Sequence, residues 1–180
     1  MPFRKVDERP VFEGGFVHVA VASFEGPDGQ RFDRELIRHR GAVGVVALTD
    51  GGRRAALVRQ YRVTIEDELL EIPAGVRDVE GEAPDATARR ELEEEAGLRA
   101  VGELELLTEY VVAVGLTDET MHLYLCHDTE ACDSRPQSAE EALMQVVEVD
   151  LDAVPAMIAD GRIRDGKTII GLLLARARLA

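Results

Sequence analysis

Apolar residues alternate with polar residues over much of the chain and recur at helical spacing in three later segments. Alternation predicts half-buried strands, and recurrence at every third or fourth position predicts amphipathic helices. The predicted strands cover residues 16–21, 32–39, 42–48, 55–61, 68–72, 103–114, 120–127 and 143–149. The predicted helices cover residues 84–96, 151–159 and 168–178.

Turn-forming residues separate these segments. Gly-Pro-Asp-Gly at 26–29 and Asp-Gly-Gly at 50–52 lie between consecutive strands. Pro84 suits the first position of a helix, and Gly97 suits the position beyond its end. A polar loop is expected at 128–141. The order of strands and helices predicts an α/β sandwich with a mixed sheet, preceded by an N-terminal β-hairpin.

The composition is that of one globular domain with a modest appendage, since 46% of the 180 residues are hydrophobic and 31% are charged. The longest apolar stretches, at 42–48 and 169–175, are much shorter than the roughly 20 residues of a membrane span. Residues 1–10 also lack the apolar run of a secretory signal. We therefore expect a cytoplasmic protein with no membrane partner.

Cysteine and histidine give no sign of a metal or redox site. Two cysteines cannot form a disulfide framework, and we expect both to be chemically inert. The histidines are dispersed and form no predicted ligand cluster or catalytic triad. These residues are Cys126, Cys132, His18, His39, His122 and His127.

The formal net charge of −14 argues against long nucleic acids as partners, because their binding depends on lysine and arginine neutralising phosphates. An acidic protein can still act on a small polyanion if divalent cations lie between its carboxylates and the substrate phosphates. The charge is therefore compatible with a small phosphorylated substrate used together with a metal.

Three glutamates in the first predicted helix are the strongest candidates for such a metal site. Glu91, Glu94 and Glu95 stand at i, i+3 and i+4, so their carboxylates share one helix face, while Leu92 points to the core. Like charges at this spacing destabilise a helix unless a cation compensates them, and Mg²⁺ or Mn²⁺ prefers oxygen ligands. Alone, three such glutamates more often form a solvated acidic face.

The surrounding residues resemble the Nudix box, G-x5-E-x7-R-E-U-x-E-E-x-G-U, where U is aliphatic. The matching segments are residues 75–82 and 90–98. The helical part, Arg90 to Leu98, is in register, but six residues rather than five separate Gly75 from Glu82. The chain is thus identified as a member of the Nudix hydrolases, which implies a Nudix α/β/α sandwich and a Mg²⁺-dependent hydrolase, with Mn²⁺ as a possible substitute.

The resemblance also implies roles for particular residues. Glu91 and Glu95 would be the principal metal ligands, assisted by Glu94, and Arg90 would orient these carboxylates through charge-assisted hydrogen bonds. Further metal oxygens would come from the backbone carbonyl of Ala74 and from Glu82, the equivalent of the first box glutamate. A separate base would complete the reaction, and the resemblance assigns it to Glu141, with Glu140 as the alternative.

The substrate is suggested by a resemblance to the ADP-ribose pyrophosphatase subfamily. Leu-Val-Arg-Gln-Tyr-Arg at 57–62 resembles its Q-Y-R segment, so Arg62 would contact a substrate phosphate. Gly-Leu-Thr-Asp-Glu at 115–119 resembles its G-F-S-D-E loop, so Gly115 and Glu119 would contribute to substrate binding, although Val114 replaces the subfamily's usual proline.

Three functions follow as candidates. The first is hydrolysis of ADP-ribose to AMP and ribose 5-phosphate, and the second is cleavage of nucleotide sugars or related nucleoside diphosphate compounds. The third is a Nudix-fold module that senses such ligands without cleaving them. The intact glutamates argue against the third, since a pure binder gains nothing from a cluster of repelling charges.

The N-terminal segment also resembles this subfamily, in which such a hairpin reaches across a dimer. We therefore expect residues 1–40 to form a dimerisation extension and residues 41–180 the Nudix domain of a homodimer. Phe16 could stack on adenine across the dimer, although a role in the core of the hairpin is the more common one for such a residue.

A second motif suggests a different function. Gly-Arg-Ile-Arg-Asp-Gly-Lys-Thr at 161–168 matches the P-loop pattern G-x4-G-K-T. A P-loop follows a strand and opens a helix within a parallel sheet, whereas here a predicted helix precedes the motif. We expect Gly161 to end that helix, Thr168 to cap the last one, and Lys167 to matter only if the P-loop interpretation is correct.

Overall fold

A computed structural model of the chain describes residues 2–134 and 141–180. The chain divides into two compact units. The first contains the residues up to Gly41 together with Tyr110–Thr120, and the second contains Ala42–Glu109 with Met121–Ala180. No helix within the described residues is long and apolar enough to cross a membrane.

The first unit contains an antiparallel sheet in the order β1–β2–β3. Its strands are β1 (Arg4–Glu13), β2 (His18–Glu25) and β3 (Arg31–Arg38). The predicted hairpin corresponds to β2 and β3, which a turn with Gly29 at positive φ connects. Strand β1 was not expected, because Pro10 and a high density of charges obscure its alternation.

The second unit is built around a mixed sheet, as predicted. Strand β4 (Ala42–Thr49) is parallel to β10 (Thr120–Cys126) and antiparallel to β5 (Arg54–Arg62). The main path is β12–β5–β4–β10–β9, with β6 on β5 and β7 on β4. The remaining strands of this sheet are β6 (Asp67–Glu71), β7 (Ala74–Val76), β9 (Glu105–Val111) and β12 (Gln145–Asp150).

Helices cover both faces of this sheet. The buried residues Val43, Val45 and Ala47 of β4 pack with Leu92 of α1 (Pro84–Ala96). On the other face, Gly171 of α3 (Gly166–Leu179) lies against Val46. Because both faces are covered, β4 is an almost continuous apolar strand. The α/β/α sandwich is therefore confirmed, and α1 has the predicted bounds.

Two local expectations were wrong. The expected polar loop at 128–141 begins with β11 (Asp128–Ala131), which pairs with β8 (Leu98–Val101) in a two-stranded sheet. The last helix is capped by Asp165 rather than Thr168, because the Asp165 carboxylate accepts from the Thr168 backbone N–H at 2.9 Å. Gly161 lies just after α2 (Val154–Ala159), as expected of a helix terminus.

Adjacent leucines of α3 provide a test of this packing. Leu172 is fully buried, whereas Leu173 is 42% exposed. We expect Leu172→Ala to lower the free energy of unfolding by about 2–5 kcal/mol, because it removes core contacts and leaves a cavity. The control Leu173→Ala should change it by less than about 1 kcal/mol. Denaturant unfolding measures both, and equal effects would contradict the described orientation of the helix.

Candidate active site

Helix α1 orients the three predicted metal-binding glutamates. It starts with Pro84 at its first turn and ends at Gly97, whose φ of 60° lies in the left-handed region. The buried side chains Ala88, Leu92 and Ala96 fix the face that packs on the sheet. The carboxylates of Glu91, Glu94 and Glu95 are thereby held at the margin of the core, where each is only partly exposed.

Glu91 lies directly against the backbone of β7. A Cβ atom at Gly75 would overlap the Glu91 carboxylate, so any other residue at this position would displace it. The glycine is therefore required by the close approach of a carboxylate to the main chain. This contact fixes the distance between the helix and the strand that carries Ala74.

Glu95 is hydrogen-bonded to the same strand, because the Ala74 backbone N–H donates to its Oε2 at 2.8 Å. Burial raises the pKa of Glu95 to about 8, and repulsion from Glu91 and Glu141 acts in the same direction. Burial likewise raises the pKa of Glu91 to about 7. These shifts show that negative charge is disfavoured here unless a cation accompanies it.

Arg90 connects the carboxylates of the cluster. Its Nη1 donates to Glu91 Oε1 at 2.7 Å and to Glu94 Oε2 at 3.1 Å. Its Nη2 donates to Glu82 Oε2 at 3.2 Å and to Asp78 Oδ1 at 3.1 Å. Although burial opposes it, these partners raise the pKa of Arg90 above its usual value, so the guanidinium stays charged.

Glu82 reaches this cluster despite the extra loop residue. Gly81 adopts a φ of 80°, and the Glu82 backbone N–H donates to the Val79 carbonyl at 3.2 Å. The resulting turn brings Glu82 to Arg90, and Thr87 Oγ1 donates to Glu82 Oε2 at 2.8 Å. The insertion is therefore accommodated in the loop before α1.

The donor set fits a hard divalent cation. Carboxylate oxygens from one helix face adjoin the backbone of Ala74, and oxygen ligands are what Mg²⁺ and Mn²⁺ prefer. Among the residues that the structure describes, no three acidic, histidine or cysteine side chains converge as a preformed cage. The carboxylates instead pair with Arg90 and with the Ala74 N–H, so binding a cation would require some of these bonds to rearrange.

Arg62 lies at the edge of the same site. Its charge lowers the pKa of Glu95, although burial outweighs this effect. Its Nε and Nη2 donate to the two carboxylate oxygens of Glu71, each at 2.7 Å. The arginine is thus held by a rigid two-point contact while its side chain remains 39% exposed.

Of the two candidate bases, Glu141 lies in a 3-10 turn at Glu141–Leu143. Its negative charge contributes to the raised pKa of Glu95, after burial and repulsion from Glu91. Glu140 lies outside the residues that the structure describes.

The remaining substrate-binding candidates belong to the first unit. Glu119 Oε1 lies 4.0 Å from His39 Nδ1, and the His39 ring contacts Phe16 edge-to-face, with ring centroids 6.1 Å apart. Phe16 is 69% exposed, so it is not a core residue of its unit. Gly115 lies in the segment before Glu119, and a Cβ added there would meet no neighbouring atom within 4 Å.

Several residues of the site were not identified from the sequence. Asp78 accepts a hydrogen bond from Arg90, and Thr87 donates one to Glu82. Glu71 accepts from Arg62. Glu71 is only 1% exposed. In the sequence, a charged residue that directly follows Leu69 and Leu70 in a strand was the one indication that it has a buried partner. The described residues also show that the P-loop interpretation fails, because residues 161–168 connect two helices.

Comparison with known proteins identifies the family. A model of the NUDIX domain matches residues 38–170. A methanol dehydrogenase activator of Bacillus methanolicus is 35% identical over 169 residues, covering 94% of this chain and 90% of that protein. An ADP-ribose pyrophosphatase of Bacillus subtilis is 33% identical over 165 residues, covering 92% and 88%.

A second ADP-ribose pyrophosphatase, from Mycobacterium tuberculosis, is 36% identical over 175 residues, covering 97% of this chain and 84% of that protein. The crystal structure of an ADP compounds hydrolase superposes with a TM-score of 0.87 at 24% identity, covering 99% of this chain and 95% of that one. This likeness agrees with the sandwich described above. The family match and the identity to these relatives together show that the chain belongs to the NUDIX family.

Proposed function

We propose that the protein is a Mg²⁺-dependent hydrolase that cleaves the diphosphate bond of ADP-ribose to give AMP and ribose 5-phosphate. The observation that carries this proposal is the partly buried carboxylate face of α1, pressed against Gly75 and bonded to Ala74. The raised pKa values of Glu91 and Glu95 support a cation as its ligand, since positive charge would favour their ionised forms.

The metal would be held by Glu91 and Glu95, with Glu94, Glu82 and the Ala74 carbonyl as further oxygen donors. When bound, a divalent cation neutralises the diphosphate and lowers the pKa of a water at the site. Arg90 would keep the carboxylates oriented through its bonds to Glu91, Glu94 and Glu82. Glu141 would accept the proton from the attacking water, since its charge already acts on Glu95.

ADP-ribose is the favoured substrate for two reasons. Two relatives that cover most of this chain are ADP-ribose pyrophosphatases, and Arg62 presents a partly exposed guanidinium beside Glu95, as a phosphate contact requires. By resemblance to the subfamily, Glu119, Gly115 and Phe16 of the first unit are further candidates for substrate binding.

A panel of nucleoside diphosphate compounds tests this assignment. We expect purified protein with Mg²⁺ to convert ADP-ribose into AMP and ribose 5-phosphate faster than it cleaves nucleotide sugars, and to lose activity when the metal is chelated. Preferred cleavage of a nucleotide sugar would change the substrate assignment. Binding of ADP-ribose without cleavage of any compound would instead favour a sensing module.

Replacing one carboxylate tests the metal site. Glu95→Gln should retain the hydrogen bond from Ala74 N–H, and therefore the fold, while removing the charge that a cation needs. We expect less than about a tenth of the wild-type rate at saturating Mg²⁺. Glu93 lies on the same helix but pairs with Arg99 on the surface. The control Glu93→Gln should therefore keep a rate near that of the wild type. Higher activity in the first variant would refute the assignment.

The base can be tested separately. Glu141→Gln should lower kcat by roughly 10²–10⁴-fold with little change in substrate binding, because a general base acts in the transition state. Glu148 lies on β12 and pairs with Arg54 of β5, so Glu148→Gln is the matched control and should have little effect. The same loss in Glu140→Gln instead would move the role by one residue, and no loss in either variant would place the base elsewhere.

We also propose that the protein is a homodimer in which residues 1–40 complete the partner's substrate site. The sheet of the first unit buries Ala20 and Ala22, whereas Phe3, Val11, Phe12 and Phe16 are each more than half exposed. Large exposed apolar side chains on a small sheet indicate a surface that packs on another chain.

Deleting residues 1–38 should convert a dimer into a monomer and abolish activity, as measured by light scattering and turnover. The milder double variant Val11→Lys with Phe12→Lys should shift the same equilibrium without shortening the chain. Val101→Lys, at a comparably exposed position of the second unit, is the control. A truncated protein that stays dimeric, or a full-length monomer with full activity, would contradict the proposal.

A further inference from the structure

The lysine of the P-loop-like motif has a partner that its sequence context does not suggest. Lys167 Nζ contacts Glu71 Oε2, although 96 residues separate them. Its side chain is 11% exposed, and its other close partner is Asp165 Oδ2 at 3.1 Å. An ammonium group enclosed by two carboxylates is directed into the protein and does not present its charge to a phosphate.

Glu71 is the acceptor for two cations. Arg62 occupies both of its oxygens in a fork, and Lys167 shares one of them. Burial alone would raise the pKa of Glu71, but Arg62 and Lys167 lower it below its usual value, so the carboxylate stays ionised. Without Lys167, Arg62 would be the only cation to compensate the buried Glu71 carboxylate, and it would be drawn further inwards.

The start of α3 fixes Lys167 in place. Asp165 Oδ2 accepts from the Thr168 backbone N–H at 2.9 Å and from Thr168 Oγ1 at 2.6 Å. Thr168 Oγ1 in turn accepts from the Ile72 backbone N–H at 2.9 Å. The residue after Glu71 is thus bonded to the residue after Lys167, and the spacing between strand and helix leaves the ion pair little freedom.

We infer that Lys167 is a positioning residue for the reaction: by sharing the compensation of Glu71, it keeps Arg62 from being drawn further inwards, so that the forked and partly exposed guanidinium remains available to a substrate phosphate. This inference rests on the proposed function, because it assumes that Arg62 contacts the substrate diphosphate. Lys167 itself touches neither substrate nor metal. Its removal should weaken substrate binding through Arg62 while leaving the carboxylate cluster on α1 unchanged.

The test uses the full-length protein and whichever compound of the nucleoside diphosphate panel the wild type cleaves. Lys167→Met should raise KM about tenfold or more, with a smaller change in kcat and an unchanged Mg²⁺ concentration for half-maximal activity. Lys167→Arg should restore KM towards the wild-type value. Arg164→Met is the matched control, since Arg164 also links the segment before α3 to β6, through Asp67 on the surface.

A double-mutant cycle separates positioning from general stabilisation. In an Arg62→Ala background, Lys167→Met should cause no further loss of kcat/KM, because the residue through which it acts is absent. If Lys167→Met fails to fold, Glu71→Gln combined with Lys167→Met removes both buried charges, and the same cycle with Arg62→Ala applies. That combined variant should also raise KM, and the rise should disappear when Arg62 is absent.

The outcomes distinguish this inference from the proposed function. A wild type that cleaves nothing on the panel means that the proposed function fails, and this inference with it. A wild type that cleaves, together with a Lys167→Met protein whose KM stays within about twofold of it, overturns the inference alone. Equal losses of kcat/KM with and without Arg62 also overturn it, because they show a purely structural role for Lys167.

Discussion

The site depends on the partial burial of carboxylates, which the packing of α1 makes unavoidable. Burial of Leu92 against the sheet leaves Glu91 and Glu95 no route to turn fully into solvent. Burial in this partly dry environment raises the pKa of both carboxyls, and repulsion from neighbouring carboxylates adds to the effect. Arg90 compensates one side of the cluster, and the Ala74 N–H compensates the other. A divalent cation would stabilise the ionised forms of these clustered carboxyls. The rest of the sandwich must supply the free energy that keeps them together.

The sandwich supplies that stability through one short stretch of backbone, residues 71–75. Helix α3 contacts the start of this stretch, because Lys167 contacts Glu71 and Thr168 Oγ1 accepts from the Ile72 N–H. The central strand holds its middle, since the Val45 N–H donates to the Pro73 carbonyl at 2.9 Å. Helix α1 meets its last part, at Ala74 and Gly75. Five successive residues thus receive contacts from three elements, so the backbone that adjoins the carboxylates is fixed from both faces of the sheet.

Features that depend on local chemistry could be predicted from the sequence, and features that depend on distant pairing could not. The bounds of α1 follow from Pro84, the apolar spacing and Gly97, all within the segment itself. The placement of three glutamates on one face follows from helical geometry alone. Strand β11 is short and polar, and only its pairing with β8 makes it a strand. The link between Glu71 and Lys167 spans 96 residues and has no periodic signature, so the sequence offered Lys167 no role outside the disfavoured P-loop motif.

The loop before α1 shows why a motif is better judged by its contacts than by its spacing. Counting residues leaves the equivalence of Glu82 open, since one extra residue separates it from Gly75. The structure shows where that residue lies: Gly81 adopts a positive φ in the turn, and Glu82 contacts both Arg90 and Thr87. A loop can absorb a residue at low energetic cost because its backbone is not part of a ladder or a helix. A helix has no such freedom, since one added residue would rotate every later side chain by about 100°. The spacing of residues in the helical half of the box is therefore fixed. The length of the loop half can vary, provided that its last carboxylate still reaches Arg90.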